Sequence, residues 1–135
     1  METGKPYPYR NIIAHYEQCL DKFGDSFLGV DWPNEHDTQT RYKVMMDLPG
    51  SKTGKDISIL DFGCGTAHLL EYINKQAYAQ HIQYTGLDIS DKFIEVARNK
   101  FPGTRFIQMD ILENPIGPGT FDYVIMNGVF TEKRE

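Results

Sequence analysis

The stretch ISILDFGCGTAHLL, residues 57–70, joins a short apolar run to a glycine-rich turn and then to leucines on one helix face. A short apolar run bounded by turn residues is typical of a buried parallel strand. Gly63 and Gly65 interrupt the run, since glycine allows the backbone to turn sharply. The stretch therefore predicts a strand over 57–61, a tight turn, and a helix that begins at about Thr66.

The same alternation of strand and helix continues to residue 126. Apolar or alternating runs at 82–88, 105–110 and 121–126 predict three further strands. Ser90 is placed to cap a helix between two of these strands, and its apolar face consists of Phe93, Ile94, Ala97 and Phe101. Strands separated by helices imply a parallel sheet with right-handed crossovers. We therefore predict an α/β fold, a Rossmann-like parallel sheet with helices on both faces.

The first 50 residues follow a helical pattern. Residues 11–23 place apolar side chains on one helix face and stop at Gly24. A second helix is expected from a cap at Asn34 to about Leu48. Its expected inward-facing residues are Tyr42 or Met45 and Val44 or Leu48. We therefore divide the chain into an N-terminal helical cap, 1–50, and a core, 51–135.

Composition and charge argue against several classes of protein. The 135 residues carry a formal net charge of -5, which disfavours a nucleic-acid-binding surface. No apolar stretch is long enough to cross a bilayer, and the first residues do not form a secretory signal. Cys19 and Cys64 are far apart, and the four histidines lack metal-ligand spacing. We expect reduced thiols, no metal site, and a cytoplasmic protein.

Polar residues follow the predicted strands at their carboxyl ends. Asp61 and the turn 63–65 follow the first strand, Asp88 the second, Asp110 the third and Asn127 the fourth. The carboxyl ends of parallel strands meet at one edge of the sheet, where such folds bind their ligands. Glycines let the backbone approach a ligand closely, and the following helix presents unpaired N–H groups there.

The spacing of the acids indicates a nucleoside ligand. Asp88 lies 23 positions after Gly65 (88 minus 65), where an acid accepts hydrogen bonds from ribose hydroxyls and would repel a 2′-phosphate. Asp110 is placed to accept from an exocyclic adenine amine, and the backbone N–H of Ile111 to donate to the adenine ring. A dinucleotide fingerprint would need glycine or alanine at position 68, which is His68. The pattern therefore favours a nucleoside without a diphosphate.

Four of these segments, in this order, resemble the motifs of class I S-adenosylmethionine-dependent methyltransferases. The run ILDFGCGTAHLLEYI resembles their first motif, acid-x-Gly-x-Gly-x-Gly, with Ala67 at the third glycine. GLDIS resembles the ribose-binding motif, FIQMDILE the adenine-binding segment, and FDYVIMNGVF the motif near the methionine end of the cofactor. The resemblance spans about residues 55–130.

The resemblance implies how S-adenosylmethionine, and its product S-adenosylhomocysteine, would be held. Asp61 would support the loop and meet the amino group of the cofactor. The full set of implied contacts is Asp61, Gly63, Cys64, Gly65, Asp88, Ile89, Asp110, Ile111 and Asn127. N-terminal helices often cover the cofactor in this family, so Tyr9, Trp32 and Arg41 are further candidates, although packing or surface roles fit each of them better.

The sequence names no catalytic residue. The cofactor of this family carries a reactive methyl group, so a general base is not required for every acceptor. Cys64 is interpreted as a loop residue, because no histidine or acid is placed by the sequence to activate it as a nucleophile.

The resembled family has a seven-stranded sheet, whereas this chain supplies about four strands and is expected to stop after the fourth. Two readings follow: a piece of a longer methyltransferase, or a small protein whose acceptor site a partner completes. The expected strand order, 3-2-1-4, leaves the fourth strand at an open edge. An unpaired apolar edge invites another chain, so we expect self-association there.

Three functions stay open at this point. The leading one is methyl transfer from S-adenosylmethionine, to a small-molecule acceptor, with this chain supplying the cofactor-binding half. The second is a cofactor-binding module without turnover, which needs a missing C-terminal part. The third is an NAD-dependent oxidoreductase, against which His68 and Asp110 both argue.

Overall fold

The sheet of the computed structural model contains four strands: β1, Ile57–Phe62; β2, Ile82–Asp88; β3, Arg105–Gln108; and β4, Tyr123–Met126. The structure describes residues 9–24, 35–52, 54–114 and 117–126. Every pair of neighbouring strands is parallel, and their order is β3-β2-β1-β4. The predicted α/β architecture and the predicted strand order are therefore confirmed.

Helices precede the sheet and connect its strands: α1, Tyr9–Phe23; α2, Glu35–Gly50; α3, His68–Asn74; and α4, Asp91–Lys100, with a short 3₁₀ turn at Ala79–His81. The predicted cap of α4 is confirmed, because the Ser90 hydroxyl accepts the Phe93 N–H at 3.3 Å. The end of α1 at Gly24 is also confirmed, since this glycine is left-handed with φ of 69°.

α3 begins later than the sequence predicted. Its first residue is His68, not Thr66, because Ala67 has a left-handed φ of 67° that no helical residue adopts. The two residues Thr66 and Ala67 belong instead to the turn that follows β1, and both are fully buried.

The core lies between the sheet and the helices. Its largest fully buried hydrophobic side chains come from four elements and are Met46, Ile59, Ile73 and Ile94. Together with their neighbours they form one continuous cluster, so α2 shares a core with the sheet.

The predicted inward face of α2 is partly wrong. Tyr42 is buried as predicted, and Met45 is half-buried against the core. Val44 and Leu48 are 66% and 58% exposed. Burial follows the stripe Thr38, Tyr42 and Met46, because residues four apart lie above one another on a helix.

Among the described residues, β4 lies at one edge of the sheet and pairs with β1 alone. A reciprocal contact sets its register: the Asp122 carboxylate accepts the backbone N–H of Ser58 at 2.9 Å, and the Ser58 hydroxyl accepts the backbone N–H of Asp122 at 3.0 Å. Val124 and Met126 project from this strand and are about half exposed. Within the described part of the chain, the other side of β4 therefore has no partner strand, as predicted for the fourth strand.

Candidate cofactor-binding site

The carboxyl ends of the four strands lie in one row. Phe62, the last residue of β1, pairs with Leu87 on one side and with Met126 on the other, and Leu87 pairs in turn with Ile107. The segments that follow these residues therefore emerge at the same edge. This is the edge where the sequence placed the ligand. Asn127, assigned to it at the end of β4, lies outside the described residues.

Every second residue of the loop after β1, from Gly63 to Ala67, has a left-handed backbone conformation. The φ angles are 78° at Gly63, 56° at Gly65 and 67° at Ala67. Glycine adopts this conformation without steric cost, whereas alanine pays about 1–2 kcal/mol. The acid-x-Gly-x-Gly-x-Gly pattern thus has a conformational cause, and Ala67 carries strain where the pattern has its third glycine.

Asp88 and the end of β2 tie this loop to the sheet. The N–H groups of Gly63 and Cys64 both donate to the Leu87 carbonyl, at 2.8 and 2.9 Å. The N–H of Gly65 donates to Oδ2 of Asp88 at 2.9 Å, and the N–H of Ser90 donates to Oδ1 at 2.9 Å. Asp88 therefore supports the loop, a role that the sequence assigned to Asp61. A carboxylate has about four acceptor positions, so capacity for a ligand hydroxyl is left.

Lys100 holds the loop from a different direction. Its Nζ donates to the Thr66 carbonyl at 2.7 Å and forms an ion pair with Oε1 of Glu71 at 2.7 Å. The ammonium at the end of α4 thus links the loop to α3. Sequence reasoning missed this residue, because nothing in the pattern of α4 shows where its last side chain reaches.

Asp61 is a buried acid with a single hydrogen-bond donor among the described residues. The Tyr84 hydroxyl donates to its Oδ2 at 2.6 Å, and no described group donates to Oδ1. The side chain is only 3% exposed. Burial, together with the charge of nearby Asp88, raises the pKa of Asp61 to about 7, and the hydrogen bond from Tyr84 lowers it. A buried carboxylate of this kind is stabilised in its ionised form when a cation or a further hydrogen-bond donor binds to it.

Cys64 lies between these acids and is not activated. Its side chain is buried, and burial beside Asp61 and Asp88 raises the pKa of the thiol well above its usual value. A thiol that stays protonated is a poor nucleophile, so the structure supports its interpretation as a loop residue.

The segment after β3 offers a carboxylate and a backbone donor. Oδ1 of Asp110 accepts the backbone N–H of Leu112 at 3.0 Å, and the Asn114 side chain donates to the Asp110 carbonyl at 2.7 Å. These bonds fix the turn. In the described part of the chain no acceptor reaches the N–H of Ile111, which leaves a donor at the position where the sequence placed the adenine ring.

Of the three candidates from the N-terminal segment, the structure describes the side chain of Arg41 alone. Trp32 and the side chain of Tyr9 lie outside the described residues, and Arg41 is exposed on α2. The neighbouring Tyr42 was predicted to face inward but not to lie near the site: burial, together with the charges of Asp61 and Glu71, raises its pKa. Its position on the buried stripe of α2 is the one signal that could have identified it.

Neither metal binding nor membrane spanning is indicated within the described residues. No cluster of three or more potential metal ligands occurs among them. None of their helices combines the length and the apolar character needed to cross a bilayer.

The chemistry at this edge fits S-adenosylmethionine. Its ammonium and sulfonium groups suit two buried acids, Asp61 and Asp88, and its ribose and adenine carry the donors and acceptors that Asp88, Asp110 and Ile111 can meet. Gly63 and Gly65 carry no side chains, so a ligand can approach the backbone of the loop closely at these two positions.

Comparison with known proteins supports this fit. The model of a methyltransferase domain family matches residues 59–135. A ubiquinone/menaquinone biosynthesis C-methyltransferase UbiE from Campylobacter jejuni is 30% identical over 105 residues, which cover 72% of this chain and 45% of the relative. The chain therefore spans less than half the length of that relative.

Solved structures share the fold. Magnesium protoporphyrin IX methyltransferase from Synechocystis, with bound S-adenosylmethionine, superposes with a TM-score of 0.61 and 18% identity, over 90% of this chain and 62% of that one. The [4+2]-cyclase SpnF superposes with a TM-score of 0.57 and 19% identity, over 90% and 50%. The family match covers more than half of the chain, and the motifs it contains form the site described above. The chain therefore belongs to the class I methyltransferase domain family, whose cofactor is S-adenosylmethionine.

Proposed function

We propose that this chain binds S-adenosylmethionine at the carboxyl ends of β1, β2 and β3 and supplies the cofactor-binding half of a methyltransferase. The observation that carries the proposal is the pair of buried acids, Asp61 and Asp88, around the glycine-rich loop. Burying two carboxylates costs several kcal/mol each unless a cation or strong donors compensate. A cofactor with ammonium and sulfonium groups supplies that compensation.

Each part of the cofactor has a proposed partner. Asp61 receives the ammonium group, and the backbone of Gly63, Cys64 and Gly65 holds the methionine moiety. Asp88 and the adjacent Ile89 hold the ribose. The Asp110 carboxylate accepts from the adenine amine, the Ile111 N–H donates to the ring, and Asn127 lies near the methionine end. When bound, the cofactor supplies an electrophilic methyl group, and the protein aligns it with the acceptor.

The N-terminal helices are proposed to cap this site. Oε2 of Glu17 on α1 accepts the Ser90 hydroxyl at 2.7 Å, two residues after Asp88. On the next turn of α1, Asp21 pairs with Lys92 at 2.9 Å. These contacts support the α1 part of the proposed cap, residues 1–50 over a core of 51–135, because they bring α1 against the segment that would hold the ribose, whereas α2 packs into the core itself.

The proposed acceptor is a small molecule. UbiE and magnesium protoporphyrin IX methyltransferase are named for the modification of small molecules. The net charge of -5 disfavours nucleic acid as an acceptor. A cytoplasmic location is proposed from the sequence, because its two cysteines, Cys19 and Cys64, are far apart and form no motif typical of disulfide-rich secreted proteins.

The ribose assignment can be tested by calorimetric titration with S-adenosylhomocysteine and its 2′-deoxyribose analogue. Replacing Asp88 by alanine would also break the bond to Gly65, so a ligand change is needed to separate the two roles. We expect the wild type to bind the parent compound about tenfold more tightly than the analogue, and Asp88→Asn to show a much smaller difference. NAD serves as the negative control. Equal affinity of the wild type for both compounds would remove Asp88 from the ribose site.

A second candidate is a cofactor-binding module without methyl transfer. The fold is shared with SpnF, which is named as a cyclase, and the chain spans less than half of UbiE. Incubation of stoichiometric chain with methyl-labelled S-adenosylmethionine and small-molecule acceptors separates the candidates. Label in a small product supports the transferase. Binding without any transfer, by this chain and by a longer one, supports the module.

The open edge of β4 is proposed to pair with a further strand, from another copy of the chain. No described strand pairs with the outer side of β4, and Val124 and Met126 on this strand are about half exposed, which supports such an association. Light scattering across a concentration series should show a mass that rises above the monomer. A monomer mass that persists at high concentration would rule out this association.

A further inference from the structure

Tyr84 approaches Asp61 across a gap that the sheet leaves for it. Tyr84 pairs with Ile59 in the parallel register, and Asp61 pairs with Gly86, so all four side-chain positions lie on one face of the sheet. Because Gly86 has no side chain, the Tyr84 hydroxyl reaches diagonally to the carboxylate, where it donates to Oδ2 at 2.6 Å.

The Tyr84 ring is fixed by its surroundings. It is 9% exposed and packs edge-on against Phe106, with ring centroids 6.0 Å apart and planes at 70°. A buried ring with this contact has few alternative rotamers. The hydroxyl therefore holds one oxygen of Asp61 in place and leaves Oδ1 without a donor among the described residues.

We propose that Tyr84 is a positioning residue for cofactor binding: its hydroxyl holds Oδ2 of the Asp61 carboxylate, so that Oδ1 is oriented to receive the ammonium group of the cofactor's methionine moiety. This inference rests on the proposed function, because it takes the ligand of Asp61 to be that ammonium group. It adds a residue outside the loop motif and gives cofactor binding a dependence on pH.

The titratable groups that face Asp61 come from three parts of the fold. From β2 they are Tyr84 and Asp88, from α2 Tyr42, and from the loop Cys64. Burial raises the pKa of both tyrosines and of the thiol, so these groups stay neutral near pH 7. Burial raises the pKa of Asp88 as well, and the backbone N–H groups of Ser90, Gly65 and Ile89 partly oppose that effect by favouring its ionised form.

The sign of the pH effect follows from this arrangement. The pKa of Asp61 is about 7, so the carboxylate is lost as the pH falls below 7, and affinity for an ammonium ligand should fall with it. Without the Tyr84 hydroxyl the pKa of Asp61 rises further, because that hydrogen bond favours the charged form. Tyr84→Phe should therefore move the pH midpoint of affinity upward by about one unit, which is about tenfold in affinity below the midpoint.

The test is calorimetric titration from pH 5.5 to 8.5 with two ligands. S-adenosylhomocysteine carries the ammonium group, and 5′-methylthioadenosine has the same nucleoside and sulfur without it. For Tyr84→Phe we expect about tenfold weaker binding of the first ligand at pH 6.5, recovery towards pH 8.5, and unchanged binding of the second. Tyr78→Phe, which removes a hydroxyl from a half-buried tyrosine beside Gly50, should leave both affinities unchanged.

Further variants separate positioning from general damage. In Asp61→Asn the pH dependence that is specific to S-adenosylhomocysteine, and absent with 5′-methylthioadenosine, should disappear, and adding Tyr84→Phe should cause no further loss. A Tyr84→Phe protein that loses affinity for both ligands equally at every pH would overturn the inference, since that result indicates a merely structural role. An unchanged pH midpoint would also overturn it. If neither ligand binds the wild type, the proposed function itself fails, and the positioning role fails with it.

Discussion

Gly86 on β2 is the position where a single methyl group should do the most damage to both the core and the loop. It pairs with Asp61 on one side and with Phe106 on the other. A Cβ atom built there would lie 2.6 and 2.8 Å from two ring carbons of Phe106 and 3.0 Å from the Sγ of Cys64. Optimal separation of carbon atoms is about 3.5–4.0 Å, so the ring would have to move by about 1 Å.

The magnitude follows from two opposing effects. Overpacking a filled core costs about 1–3 kcal/mol, and Phe106 has little room to move because it is only 6% exposed. Replacing glycine by alanine also reduces the entropy of the unfolded chain, which stabilises the folded state by about 0.4–1 kcal/mol. We therefore expect Gly86→Ala to lower the free energy of unfolding by about 1–2 kcal/mol, or the Tm by roughly 3–10 °C.

Thermal unfolding followed by circular dichroism measures this loss. Gly103→Ala is the matched control, because no atom lies within 4 Å of its added Cβ and its backbone is not left-handed. We expect that variant to be as stable as the wild type or slightly more stable. Combining Gly86→Ala with Phe106→Leu should cost less than the sum of the two single changes, since the smaller side chain relieves the contact. A Gly86→Ala protein with an unchanged or higher Tm would refute the packing described for this face of the sheet.

Three further predictions concern the strain, the charge and the support of the same loop. Ala67→Gly should change the free energy of unfolding by less than about 1 kcal/mol, because relief of the left-handed strain offsets the lost burial of the methyl group. Ala97 is equally buried but lies inside α4, so Ala97→Gly should cost about 2 kcal/mol in the same urea unfolding experiment. Because the pKa of Asp61 rises from 3.8 to about 7 on folding, the folded state holds this proton more tightly, and the protein loses stability as the pH rises from about 4 to 7. Between pH 5 and pH 8 this loss is about 3 kcal/mol, so urea unfolding at these two pH values should show that Asp61→Asn loses up to about 3 kcal/mol less than the wild type. Lys100→Met should weaken S-adenosylhomocysteine binding about threefold to tenfold by releasing the Thr66 carbonyl, while Lys92→Met, which breaks an exposed ion pair, should leave that affinity unchanged.

The sequence predicted the elements that depend on local patterns. The period-two and apolar runs located all four strands, the cap at Ser90 located α4, and the spacing from Gly65 to Asp88 located a real contact, since the two residues are hydrogen-bonded. The strand order followed from the resemblance to a family. These features are encoded within a few residues or within a motif.

What the sequence missed depends on contacts between distant residues. The Tyr84 hydroxyl meets Asp61 only once the register of β1 and β2 is known, and Lys100 meets the loop 34 positions away in the chain. The buried stripe of α2 was misjudged at Val44 and Leu48, because apolar character alone does not decide which helix face meets the core. The start of α3 was placed too early, since the strained backbone of Ala67 has no signature in its side chain.

The most direct test of the central claim is to map where the cofactor binds. An amide nitrogen–proton correlation spectrum of the ¹⁵N-labelled chain, recorded during titration with S-adenosylhomocysteine, reports on each backbone N–H. We predict that the largest shifts fall on Gly63, Cys64, Gly65, Ile89 and Ile111, at the carboxyl ends of the strands, and that NAD causes none of them. An unchanged spectrum, or shifts that cluster on another part of the chain, would contradict the assignment of this edge as the cofactor-binding site.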